Sequence, residues 1–129
     1  MAIGLLRGEQ HSSRHDLEAL FWVLFWICIH YKGPNESARV VERFDIWNYA
    51  DPVELSDLKT GLIHIEGNFI KRTTKYFTEF YQPLVPWVNR LRRQVFPMDK
   101  PLKKDDPELH SNMKQILPEA QEAPEVFDV

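Results

Sequence analysis

The side chains able to do chemistry are thinly spread along this 129-residue chain. His11 and His15 stand four apart, a spacing at which two imidazoles can share one helix face and one metal ion. No third ligand and no Glu-x-x-His pattern accompanies them, so they read as solvated or capping groups. His30 and His64 are isolated and read as helix-end or surface residues. Cys28, the single cysteine, lies in apolar company, where burial raises a thiol pKa and removes its nucleophilic form. A loop that cradles phosphate needs clustered glycines, and those at 4, 8, 33, 61 and 67 form no cluster. Arg14-His15-Asp16 holds the letters of a His-Arg-Asp phosphoryl-transfer loop in scrambled order, without the asparagine that must follow to hold a metal. The expected set of catalytic, cofactor-binding and metal-binding residues is therefore empty.

Two charged or aromatic groupings remain. Arg90, Arg92, Arg93, Lys100, Lys103 and Lys104 face only Asp99 as local counter-charge, and read as a solvated helix end and linker. Phe69, Phe77, Phe80 and Tyr81 form an aromatic stripe at helical spacing. It reads as core and not as a base-stacking platform, because the bases do not interleave with it.

The elements that must position these groups are helical. Leu17, Leu20, Phe21, Leu24, Phe25 and Cys28 mark one face of a helix over about 14–31, and further apolar residues fill its other sides. A helix apolar all round must be surrounded. Ser13 is its expected cap, with Asp16 as reciprocal partner. A short helix over 38–49 ends before Asp51-Pro52, an N-cap followed by a first-turn proline. Leu55, Leu58, Leu62 and Ile65 give the inner face of the next helix, and Gly67-Asn68 breaks it. A helix over about 84–96 puts Leu84, Val85, Val88, Leu91 and Val95 inward. A last short helix over about 107–117 precedes an acidic tail over 118–129, expected to be disordered. No alternating strand pattern occurs. The class is all-α, with four or five helices around one hydrophobic central helix.

Composition narrows the partners. Sixteen Lys and Arg against nineteen Asp and Glu give a formal charge of −3, which points away from nucleic acid. The longest charge-free apolar run, residues 19–29, is about half what a membrane span needs. With no signal-peptide pattern and one cysteine, the expected location is intracellular, cytoplasmic or nuclear.

Met1-Ala2-Ile3, Leu5-Leu6-Arg7-Gly8-Glu9 and the block from Arg14 to Leu24 resemble the fungal-type protein kinase family. Trp26-Ile27-Cys28, Phe44-Asp45-Ile46-Trp47-Asn48 and Tyr81 to Val88 extend the likeness, which spans roughly residues 1–117. The resemblance implies the C-terminal part of a kinase large lobe. Ala2, Ile3 and Gly4 look like a degraded activation-segment motif, with Gly4 where the family carries a glutamate that pairs with a buried arginine. Asp16 looks like the first-turn aspartate of the central helix, which accepts hydrogen bonds from the catalytic-loop backbone and is structural. The glycine-rich loop, ATP lysine, helix-C glutamate, His-Arg-Asp loop and Asp-Phe-Gly are absent from the 129 residues. ATP and magnesium are expected only of a full-length member, whose activity is phosphate transfer to protein Ser or Thr. This chain is expected to be a truncated lobe, inactive alone. The alternative is a stand-alone interaction module, its central helix covered by a protein partner or by self-association.

Overall fold

The computed structural model describes residues 1–31 and 41–122. Helices α1 (Ile3–Leu6), α2 (Ser13–His30), α3 (Glu42–Asp45), α4 (Pro52–Ile63), α5 (Glu66–Tyr76), α6 (Val85–Val95) and α7 (Leu109–Glu122) follow in order. Single-turn 3-10 segments cover Ile46–Asn48 and Pro97–Asp99, and a longer one Glu79–Leu84. No strand occurs among the described residues, as an all-α reading requires. None of the described helices is long and apolar enough to cross a membrane.

The helix ends follow from local chemistry. Asp51 accepts the Glu54 N–H at 2.8 Å and Pro52 opens α4, so this expected start holds. Helix α2 is capped one residue earlier than expected: Ser12 caps it, and His15, not Asp16, is the reciprocal partner. Gly67 and Asn68 lie inside α5, and the break falls at His64–Ile65. Pro86 sits in the first turn of α6, where its missing N–H has no acceptor to lose. Helix α7 runs on to Glu122, so 118–122 are not the tail expected there; Glu119, Ala120, Gln121 and Glu122 are all adequate helix formers. Residues 123–129, and 38–40 of the expected 38–49 helix, lie outside the described residues.

The core forms where α6 meets α2, α5 and α7. Phe21 and Phe25 of α2 meet Phe96 at 5.4 Å and Phe44 at 5.5 Å between ring centres, and both touch Phe69 at 6.0 Å. Phe69 and Phe77 are core, as the stripe predicts, whereas Phe80 stands in solvent. The C-terminal end of α2 is tied down by Thr78, which donates its N–H to the Cys28 carbonyl (2.9 Å) and its hydroxyl to that of Tyr31 (2.6 Å). These are carbonyls a helix end leaves without intrahelical partners.

Arg92 corrects the reading of the basic cluster as solvated. It is 1% exposed and donates to Asn89 (2.9 Å), the Ile63 carbonyl (3.1 Å), Asp99 (2.6 Å) and Glu66 (2.7 Å). It thereby closes the C-terminal end of α4 against α6. Asp99 reaches it from a left-handed backbone conformation (φ 62°), next to Met98 (φ 60°). Such conformations are costly for residues with a Cβ, and here the ion pair offsets the strain.

Candidate functional site

The first twelve residues fold onto α2 and α4, and the chemistry-bearing side chains converge there. Ala2, Ile3 and Gly4 are all buried. Their anchor is Glu18, a carboxylate on the inner face of α2, one turn before Trp22. Its Oε2 accepts both the Ile3 N–H and the Trp22 Nε1–H, each at 2.7 Å. Burial pushes the Glu18 carboxyl above its ordinary value, and the two donors pull the other way.

Lys59 of α4 lies on the same side, only 3% exposed. Its ammonium donates to the Met1 carbonyl and sits 5.0 Å from the Trp22 ring and 5.6 Å from the Trp47 ring. Burial lowers its pKa, opposed by the charge of Glu18. The buried line of α4 is thus Ser56, Lys59 and Ile63, whereas Leu55, Leu58 and Leu62 are half-exposed and Ile65 stands in solvent. The expected leucine face is shifted by one position, because Ser56 receives Arg7 (3.0 Å) and Lys59 receives the chain start.

Gly4 is the position where the resemblance expects a glutamate. A Cβ built there would lie 2.4 Å from the Glu9 carboxylate and 2.7 Å from His15 Nε2. The Glu9 carboxylate fills this space and accepts from Arg14 (2.8 Å) and from His15 (3.2 Å). The Ser12 N–H donates to His15 Nδ1 at 3.0 Å, so Nε2 carries the proton that His15 gives to Glu9. His15 first, then Arg14, hold the Glu9 carboxyl below its ordinary value. Arg14 also donates to the Leu102 carbonyl (3.1 Å) and reaches Asp105, linking the start of α2 to the segment before α7.

Asp16 points away from all this. It is 69% exposed on the outer face of α2 and its partner is His11 at 2.8 Å. Beyond it the same face continues with Leu20 (51% exposed) and Val23 (55%), then Ile27 and Tyr31. Helix α2 is therefore not wrapped on every side. Phe21, Trp22 and Phe25 are sealed by this chain's own residues, whereas Trp26 is half-buried. Beside the open face runs a groove of about 500 Å³, walled by Val23, Trp26, Ile27 and Tyr31 on α2 and by Trp47 and Leu55 opposite.

The remaining candidates settle into structural places. Cys28 is fully buried, and burial pushes its thiol up to about 12. His30 is a helix-end residue but buried, its Nδ1 against the Trp26 carbonyl at 3.1 Å; His64 follows α4 in solvent. No group of three potential metal ligands occurs among the described residues. Sequence reading missed Glu18 and Lys59, and it placed Arg92 in solvent. The available signal was a charge set into an apolar stripe: Glu18 precedes Trp22 and Phe25 at steps of four and three, the spacing of one helix face.

The class defined here is an all-α bundle around one long helix, with a short N-terminal segment clamped to that helix by a buried carboxylate. The family model for the fungal protein kinase matches residues 1–28, the N-terminal segment together with most of α2. No curated protein and no solved structure matches the chain.

Proposed function

We propose that these residues are the C-terminal part of a protein-kinase-type large lobe that does not itself transfer phosphate. The observation that carries the reading is the coincidence of the family match with the geometry. Residues 1–28 match a kinase family model, and within them Asp16 and the apolar residues after it face outward from a helix otherwise packed in core. In the resembling kinases that aspartate accepts hydrogen bonds from the catalytic loop. Phosphoryl transfer rests on positioned phosphates, metal and base. None of the motifs that hold them occurs in the 129 residues, and the resemblance gives Asp16 a structural and not a chemical role. Calorimetric titration of the purified chain with ATP–magnesium tests this. No saturable heat up to millimolar nucleotide is expected, and a submillimolar Kd overturns the proposal.

A second reading is an interaction module derived from such a lobe. It is favoured by one observation: the open face of α2 adjoins a groove that is apolar apart from Asn48 and Lys59, on an otherwise well-sealed helix.

A further inference from the structure

We infer that the pocket enclosed by α3, α4 and α5 is a binding site for a small aromatic carboxylate, its ring packed on Phe44 and Trp47 and its charge held by Arg43 and Arg72. The inference rests on neither reading above.

The arginines carry it. Among the described residues Arg7, Arg14, Arg90, Arg92 and Arg93 all have partners within the chain. The side chains of Arg43 and Arg72 make no hydrogen bond, ion pair or ring contact with the described residues. These two belong to different helices, α3 and α5, yet both line one cavity of about 390 Å³. Arg72 is half-buried, and no carboxylate of the described chain compensates it. A guanidinium offers a planar fork of donors that matches a carboxylate in two parallel hydrogen bonds. Asp57 is the only acidic side chain in the lining and stands exposed, so the lining is positive on balance.

The rest of the cavity suits a ring. Phe44 is buried, and Trp47, Leu58 and Leu62 are half-buried around it. Phe44 and Trp47 meet edge to face at 5.5 Å, and aromatic corners of this kind accept a further ring by its edge or its face. Apolar walls with a few polar groups, in a volume of roughly 300–1,000 Å³, are the usual make-up of a small-molecule site. Gly61 of α4 keeps the space open: a Cβ built there meets nothing within 4 Å.

The experiment is calorimetric titration of the full chain with naphthoate, and with naphthamide as its uncharged counterpart. Naphthoate is expected to bind one to one with a submillimolar Kd, and naphthamide about tenfold more weakly. Arg72→Gln is expected to weaken naphthoate about tenfold, and Arg43→Gln, at the exposed position, by less. Neither change should alter the binding of naphthamide. Asp57→Asn removes the opposing charge and is expected to tighten naphthoate about threefold. Gly61→Leu puts a side chain into the open space and should abolish binding of both compounds. Leucine is the better helix former, and neither arginine leaves a stranded partner, so all four variants are expected to keep the wild-type helical melt by circular dichroism. The inference is overturned by the absence of saturable naphthoate binding at millimolar concentrations, or by equal affinities for naphthoate and naphthamide. Folded Arg72→Gln or Gly61→Leu variants that bind naphthoate as the wild type does overturn it as well.

Discussion

Replacing Glu18 by alanine removes the acceptor that two buried donors share. The Ile3 N–H and the Trp22 Nε1–H would keep no partner, since both approach the same oxygen at 2.7 Å and Trp22 is buried. Stranding a buried donor costs about 1–3 kcal/mol, so the pair costs about 4 kcal/mol. A domain of this size has a total stability of roughly 6–19 kcal/mol, so the loss is a large share of it. At about 4 °C per kcal/mol, Tm falls by about 15 °C. Glu18→Gln keeps an acceptor of the same shape and removes a charge that burial disfavours, so it costs about 1 kcal/mol or less. The pH dependence has a sign. A carboxyl raised in the folded state favours folding fully below its ordinary value, and that contribution is lost as pH rises through the raised value. The glutamine variant therefore gains on the wild type as pH increases. Urea unfolding gives the free energies, and hydrogen exchange over residues 1–9 reports whether α1 has been released from α2. An alanine variant within about 1 kcal/mol of the wild type, or alanine and glutamine variants of equal stability, would refute the clamp.

Two further outcomes follow from charges elsewhere. Gly4→Ala must displace the Glu9 carboxylate from beside His15 and Arg14, so the effects of Gly4→Ala and Glu9→Ala on stability are expected to be less than additive; a double-mutant cycle in urea measures the coupling, and strict additivity counts against the contact. Arg93, then Arg92, hold the Glu66 carboxyl down to about 2. A depressed carboxyl gives stability that is present above its ordinary value and lost as pH falls toward 2. Melting curves from pH 5 to pH 2 should accordingly fall less steeply in Glu66→Gln than in the wild type.

What the sequence made legible was whatever depends on neighbours along the chain. Helical periodicity, the Asp51-Pro52 start and the apolar company of Cys28 are local, and the structure keeps all three. What it hid depends on partners far away. Lys59 reads as a surface base in any periodicity argument, yet the chain start, 58 residues earlier, supplies its acceptor and two indoles its walls. Arg92 reads as one more base in a helix end until Glu66, Asp99 and the Ile63 carbonyl close around it. The exposed stripe on α2 was hidden for the opposite reason. Leu20 and Val23 look like core by residue type, and only the position of the other helices leaves them in solvent.

The wall of the α2 groove has an optical consequence. Trp47 stands 5.7 Å from Trp22 and 6.2 Å from Trp26, ring centre to ring centre, and Lys59 lies over two of the three indoles. Chromophores this close share excitation, so the three report as one unit in near-ultraviolet dichroism and fluorescence. Whatever enters the groove changes their solvent shell at once, and the chain thereby carries its own label for occupancy of that surface.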